Sequence, residues 1–352
     1  MHWSHFILAF ASLGASATIK NGTHKVVMDN DWGTVEFAPY LMALKNGWDV
    51  LGLVSNTANT WSLQCGLHGL ATLELGGLHR CIPVHKGADW PLLNTPQLLN
   101  NWEAAYGKLP FQGAFKTEVN SGKIIDNDPV GKDPSGENPL QINREAFLEG
   151  YPNATFASED GAMFMIDQVR KNAKELVVMG GYIDLNMQSV SGNHILSDIC
   201  SDVNLKIDPE AAKIALTADF PQITIVGNAA NTVFPDKTFN DKLKATLTPY
   251  SNILEKYLVQ ELPIWDAVAA AVMINPAVVI NSTDVYLDVN VARNSQTYGN
   301  VYVFKEDYRP TAQKLQKVRV ITHVDVENVR DMIVQASTNP KDCDDVAKVR
   351  GG

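Results

Sequence analysis

The sequence predicts an α/β fold: an open, mostly parallel sheet with helices on both faces, built as a single domain. Three observations predict it. Short apolar runs alternate with longer helix-like segments, the rhythm of parallel strands joined by crossover helices. The first run, Val26-Val27-Met28, ends abruptly in Asp29-Asn30-Asp31-Trp32-Gly33, and a helix-like pattern follows. The 352 residues, 45% hydrophobic and 19% charged, suffice for one large core, and no repeat, low-complexity tract or linker divides them.

Taken in order, Val35 to Asn46 reads as a helix ended by Asn46-Gly47, and Trp48 to Val54 as a second strand. The polar turn Ser55 to Asn59 leads to a helix from about Trp61 to Leu75, closed by Gly76-Gly77, and Ile82 to His85 makes a third strand. From about 92 to 157 the pattern dissolves into Pro, Gly, Asn and Asp, which marks a long irregular insertion. Order returns with a helix from Glu159 to Arg170, the strand Leu176 to Met179, a helix capped by Asp208-Pro209-Glu210, and the strand Ile223 to Val226. Helical patterns dominate from Asp236 to Gln260 and from Asp266 to Met273. Strands near Val285 to Val291, Val301 to Phe304 and Val318 to Val324 precede a closing helix from Val326 to Ala336.

A net charge of −10 and the lack of basic runs argue against nucleic acid as a partner. Residues 1–17 read as a secretory leader: Phe6 to Leu13 is a short apolar core, and Ala15-Ser16-Ala17 fits the cleavage rule, leaving 18–352 as the mature domain. The alternative reading of that run is an apolar N-terminal strand. No other run is long and apolar enough to span a bilayer, so no membrane partner is expected and the localisation expected is extracellular. The sequons at Asn21, Asn153 and Asn281 are compatible with that route. Cys65, Cys81, Cys200 and Cys343 lack metal-type spacing; one or two disulfides suit an oxidising compartment, with the pairing open.

Asp29 and Asp31 lie two apart at a strand end, where acids repel one another unless a cation or shared proton compensates. Asp31 and Glu36 offer oxygen ligands to a hard cation such as calcium; the plainer reading is that the acids cap the next helix. Trp265-Asp266 opens an Ala-rich helix, again either a cap or a site. Met179-Gly180-Gly181, with the polar run to Asp202-Val203-Asn204, is either an ordinary turn or a grip for a polyol.

Together these segments form an ordered set: Asp-x-Asp-x-Gly at the first strand, Thr57-Ala58-Asn59 at the second, Ile82-Pro83-Val84-x-x-Gly87 at the third. Then come Val178-Met179-Gly180-Gly181, Asn204-x-x-x-Asp208-Pro209-Glu210-Ala211-Ala212 and Trp265-Asp266. The set resembles the inosine/uridine-preferring nucleoside hydrolase family from about Val26 to Val329, closest to a secreted fungal-type branch. The resemblance implies hydrolysis of the N-glycosidic bond of ribonucleosides to ribose and free base, with a bound calcium ion. It implies that Asp31 ligates calcium and takes the proton of the attacking water, with Glu36 and Asp266 as further ligands. Asn59, Met179, Asp202 and Asn204 fall on ribose-lining positions; Asn193 does so at a stretched spacing. Trp265 stands where many members have a proton-donating His, which resembles the purine-preferring class and implies stacking on a purine.

The chain departs from the family in three places. Val35 replaces one acid of an expected pair, and Glu36 is a methylene longer than the expected Asp. Only Asn172-Ala173-Lys174 separates the helix near Lys171 from the strand near Glu175, where the family has a further central strand and helix of roughly thirty residues. Two readings follow: a nucleoside hydrolase, or a hydrolase-like protein that has lost catalysis and binds or interacts. Oligomeric state is left open, a homo-oligomer included.

Overall fold

The computed structural model describes residues 9–11, 24–107, 112–116, 133–172, 174–183 and 202–351. The apolar runs of the first third form a parallel three-stranded sheet of β2 (Lys25–Asn30), β3 (Asp49–Ser55) and β4 (Val84–Lys86), in that order. The crossovers are α1 (Ala38–Lys45) and α2 (Ser62–Leu75). Helix α1 starts where Pro39 fits the first turn and stops at Asn46, whose side chain donates to the Met42 carbonyl before Gly47 turns the chain at φ +76°.

The remaining strands are β1 (Ala9–Ala11), β5 (Glu175–Val178), β6 (Gln222–Ile225), β7 (Val279–Val289), β8 (Val301–Phe304) and β9 (Gln316–Val324), and they form a second sheet in the order β1-β5-β6-β9-β7-β8. Strands β5, β6 and β9 are parallel. The long β7 runs antiparallel to β9, and β8 antiparallel to β7. Because β-strand side chains alternate, each central strand serves two cores. Val26, Met28 and Val177 join the core under α1, α2, α10 (Trp265–Ile274) and α11 (Val326–Thr338). Val27, Leu176 and Val178 join the opposite core with Phe164 and Met165 of α4 (Gly161–Asn172) and the alanines of α6 (Pro209–Leu216). Helices on both faces, as expected, cover a mostly parallel arrangement, and the short α5 (Val203–Ile207) and α7 (Gly227–Ala230) flank α6 and β6 in the chain.

The short connection has a visible consequence. Helix α4 ends at Asn172 and β5 begins at Glu175, so no strand is supplied there and the hydrogen-bonded ladder is divided between β2 and β5. The place is filled in part by β1 (Ala9–Ala11), which pairs antiparallel with β5 and lies beside β2. These three residues belong to the expected leader; the rest of residues 1–17 lies outside the described residues.

Several expectations need correction. The 92–157 stretch is not wholly irregular: Thr95 caps α3 (Pro96–Tyr106) by accepting from Leu98 N, and Leu99 and Trp102 are buried beneath it. The Thr-Pro start, the Leu99–Trp102 spacing and Gly107 were the legible signal. The 236–260 pattern is two helices, α8 (Lys237–Ala245) and α9 (Pro249–Tyr257), separated by the Thr248 capping box and Pro249. β7 starts at Val279, ahead of the expected Val285.

An unexpected final helix, α12 (Cys343–Gly351), is tied down by a Cys81–Cys343 disulfide across 262 residues. Arg350 reinforces it, donating to Asp49 Oδ1 at 2.7 Å and to the carbonyls of Val50 and Cys81 at 2.9 and 2.8 Å. Cys65 is buried and not disulfide-bonded, and Cys200 lies outside the described residues. Among the described residues no helix is long and apolar enough to cross a membrane. A bridge closing so long a loop restricts the unfolded chain strongly, so Cys343→Ser should cost about 5 kcal/mol and lower Tm by roughly 5–10 °C in calorimetry. Wild-type protein in reductant should show the same loss.

Candidate active site

The site begins where β2 stops. The strand ends at Asn30, so the two-residue alternation does not carry Asp29 and Asp31 to the same partner. Asp29 is buried and accepts from Asn56 Nδ2 at 3.1 Å. Asp31 turns to the loop after β3, where its Oδ2 accepts the Asn59 backbone N–H at 2.9 Å and its carbonyl accepts Asn59 Nδ2 at 3.1 Å. Asn30, between them, accepts the Asp31 N–H at 2.9 Å and donates to Asp266 Oδ2 at 3.1 Å. The indole of Trp32 is buried and donates to the Val54 carbonyl at 2.8 Å, which pins the turn to β3.

Asp266 lies in the first turn of α10, a favourable place for an acid, yet its side chain does not cap the helix. It bonds Asn30 instead, which sets aside the cap reading for this residue. Trp265 donates Nε1 to Asn231 Oδ1 at 2.9 Å, leaving a half-buried ring on an open cleft that Val35, Glu36 and Asp266 also line. Glu36 folds back so that its Oε2 accepts the Val35 N–H at 3.2 Å.

Burial and mutual repulsion dominate the electrostatics. Burial, then the Asp266 charge, push Asp31 up to about 7, against the stabilising Asn59 N–H. Glu36 is pushed to about 8 by burial, then by Asp266 and Asp31, with nearby His68 opposing. Burial raises Asp266 to about 6 despite the Asn30 amide, and Asp29 well above the carboxylate range.

A second group sits at the end of β5. Gly180 and Gly181 adopt φ +145° and +77°, and a Cβ at Gly180 would meet Asp202 Oδ2 at 2.9 Å, so the close approach requires glycine. Asp202 accepts the Gly181 and Asn204 N–H groups, and burial lifts it to about 6 against those bonds. Asn204 Nδ2 donates to the Met179 carbonyl at 3.1 Å. Met179, Asp202 and Asn204 therefore assemble as one polar rim, while the Met179 side chain shares a core with Met28 and Trp32 of the first group. Asn193 lies outside the described residues.

The expected residues thus fall into two clusters, Asp31, Glu36, Asn59, Trp265 and Asp266 at one place and Met179, Asp202 and Asn204 at the other. Sequence reasoning missed Asn30, Asn56, Asn231 and the buried His68. For His68 a signal existed: Gln64 and His68 lie four apart on an otherwise apolar helix face, which calls for polar partners. The carboxyl oxygens of Asp31 and Asp266, with Glu36 beside them, are chemically suited to a hard cation, and their shared repulsion is what such an ion would relieve. Among the described residues, however, no three His, Cys, Asp or Glu side chains converge as a metal-holding group. Among the described residues, Asp31 and Asp266 are the carboxylates that Asn30 links at this strand end.

The family described as inosine-uridine preferring nucleoside hydrolase matches residues 161–331, a span that holds Asp202, Asn204, Trp265 and Asp266. The uncharacterized protein C800.11 of Schizosaccharomyces pombe is 31% identical, with 90% of this chain and 88% of that protein aligned. Among solved structures, a plant nucleoside hydrolase, PpNRh1, is similar at TM-score 0.61 and 18% identity, covering 90% of this chain and 99% of its own. The purine-preferring ribonucleoside hydrolase from Gardnerella vaginalis is similar at TM-score 0.61 and 16% identity, covering 89% and 98%. An inosine-guanosine nucleoside hydrolase follows at TM-score 0.60 and 17% identity, covering 89% and 98%.

The raised carboxyl pKa values carry a signed consequence for stability. Folded Asp31, Glu36 and Asp266 hold protons that the unfolded chain releases from about pH 4 upward. Cation-free protein should therefore lose stability as pH rises from about 4 through about 8, and Asp31→Asn should flatten that slope in thermal melts across the range.

Proposed function

Because the chain belongs to the inosine-uridine preferring nucleoside hydrolase family, we propose that it hydrolyses the N-glycosidic bond of ribonucleosides to ribose and free base. In this reading it favours purine nucleosides, uses a calcium ion and acts after secretion. The observation that carries the reading is the Asp31–Asp266 pair, drawn from two distant parts of the chain to one strand end and bridged by Asn30.

The steps follow from the residues. Two bonds from Asn59 orient Asp31, whose carboxylate accepts the proton of the attacking water. Calcium, held by Asp31 and Asp266 with Glu36 near them, would acidify that water. The water oxygen adds to the anomeric carbon as the carbon–nitrogen bond breaks, and the departing base takes a proton from solvent, matched by the one Asp31 then releases. Asp202 and Asn204 line the ribose site with Met179 and Asn59, where their polar groups hold the sugar hydroxyls as the anomeric carbon becomes oxocarbenium-like. The Trp265 ring, fixed by Asn231, stacks on the base. An indole cannot deliver a proton, so the base must be one that leaves without help from this position. The disulfide suits an oxidising compartment, and Asn153 and Asn281 are exposed, which supports secretion.

Val35 and the divided sheet favour a second reading, a hydrolase-like protein that binds ribose without turnover. Assays of purified chain separate the two. Asp31→Ala should reduce kcat on inosine by about 10²–10⁴-fold or more while the fold persists, whereas a mere helix cap would lose only about 1 kcal/mol of stability. A chelator should stop ribose release and calcium restore it; ribose binding with no release in any condition would select the second reading. Turnover of uridine equal to or better than inosine would overturn the base preference. Chain recovered from the culture medium should begin at Thr18 on N-terminal sequencing, and intact Met1 there would overturn the leader.

A further inference from the structure

A buried polar network lies outside the groups described so far, beneath the turn that carries Asp31 and Glu36. His68 of α2 is completely buried and lies between two carboxylates of the 133–149 stretch. Its Nδ1 meets Glu149 Oε1, and its Nε2 meets Asp133 Oδ1 at 3.2 Å. Burial alone would lower its pKa, but the bonds and charges of Asp133 and Glu149 outweigh burial and raise it to about 10. Gln64, one helical turn earlier, donates to Asp133 Oδ1 at 2.6 Å and to the Asn143 carbonyl at 3.0 Å, and accepts the Asn143 N–H at 3.2 Å. The Phe147 ring stacks on the imidazole at 4.3 Å.

The network does not stop at the helix. The second Glu149 oxygen, Oε2, accepts the Thr34 hydroxyl at 2.8 Å, and Thr34 is buried in the middle of the turn between Asp31 and Glu36. A continuous chain of contacts thus runs from Asp133 through His68 and Glu149 to the turn. Every side chain in it is nearly or fully buried, so the parts cannot swing away into water. Trp32 and Asn59 fix the Asp31 end of the turn, but toward Glu36 the backbone closes only through the Glu36 N–H to the Gly33 carbonyl at 3.4 Å, a long bond.

We infer that Glu149, held by His68, is a positioning residue: through Thr34 it sets where the turn places Asp31 and Glu36. The inserted stretch, in this assignment, acts on the site as a brace from below. The inference rests on the cation reading given above, because an oxygen cage for calcium tolerates only a few tenths of an ångström at each ligand. It assigns no chemistry to His68 and moves no proton.

Terbium, a luminescent stand-in for calcium excited through the neighbouring tryptophans, tests it by titration. Thr34→Val removes the hydroxyl alone and leaves the His68–Glu149–Asp133 core intact. It should weaken terbium binding by about tenfold or more, with Tm nearly unchanged, and Thr34→Ser should restore wild-type binding. Glu149→Gln should weaken it at least as much. In inosine hydrolysis, Thr34→Val should lower kcat and leave KM within about twofold, since the ribose contacts are untouched. Wild-type affinity in Thr34→Val and Glu149→Gln would overturn the inference while leaving the cation reading standing. Equal loss in Thr34→Ser and Thr34→Val would overturn it too, because the hydroxyl would then not be the link. Absence of terbium binding by the wild-type chain would remove the cation reading, and this inference with it.

Discussion

Like charge gathered in a poorly hydrated place is the constraint on which the rest of the structure depends. Asp29, Asp31, Glu36 and Asp266 are drawn to the end of one strand, and burial raises each above its ordinary range, joined by repulsion from neighbouring acids at Asp29, Asp31 and Glu36. The chain answers with neutral amide donors. Asn56 serves Asp29, Asn59 serves Asp31 and Asn30 serves Asp266. Amides hold carboxyl groups in place without supplying positive charge, so the repulsion is left for a proton or a cation to relieve.

The second constraint is the two-residue connection before β5. A buried strand edge leaves peptide groups without ladder partners, and where the two sheets divide, β1 of the expected leader pairs with the β5 edge in the full-length chain. The shared apolar core, which runs continuously from Val26 and Met28 to Val177 and Met179, keeps the halves in register despite the broken ladder. The two clusters of site residues sit one on each side of this seam, Asp31 on β2's end and Asp202 beside β5's end. Side-chain packing, and not backbone pairing, fixes how they face one another.

Much of this was legible in the sequence. Strand runs such as Val26-Val27-Met28 and Leu176-Val177-Val178 are short and apolar, and helix starts such as Asp208-Pro209 carry their own capping chemistry. Two of the eleven residues from Pro96 to Tyr106 are asparagines, and this polar content hid a helix whose start was nonetheless marked by Thr95. The Cys81–Cys343 pairing could not be read, since nothing local in either segment points to the other across 262 residues. Asp31, Asp266 and Asp202 stood out because an acid at an element boundary is conspicuous. Asn30 and Glu149 did not, because their role depends on partners 236 and 81 positions away and on no local pattern.

The disulfide divides the site in a mechanical sense. Residues between Cys81 and Cys343 form a closed covalent loop that contains Asp202, Asn204, Trp265 and Asp266; Asp31, Glu36 and Asn59 lie outside it. Tension applied at the two ends of the chain would pass through the sulfur bridge and bypass that loop altogether. The force would fall on β2, β3 and their helices, peeling Asp31 from Asp266 while the rim of Met179, Asp202 and Asn204 stayed enclosed. Under load the Asp31 cluster would give way first, and the Asp202–Asn204 cluster would be shielded by a covalent bond.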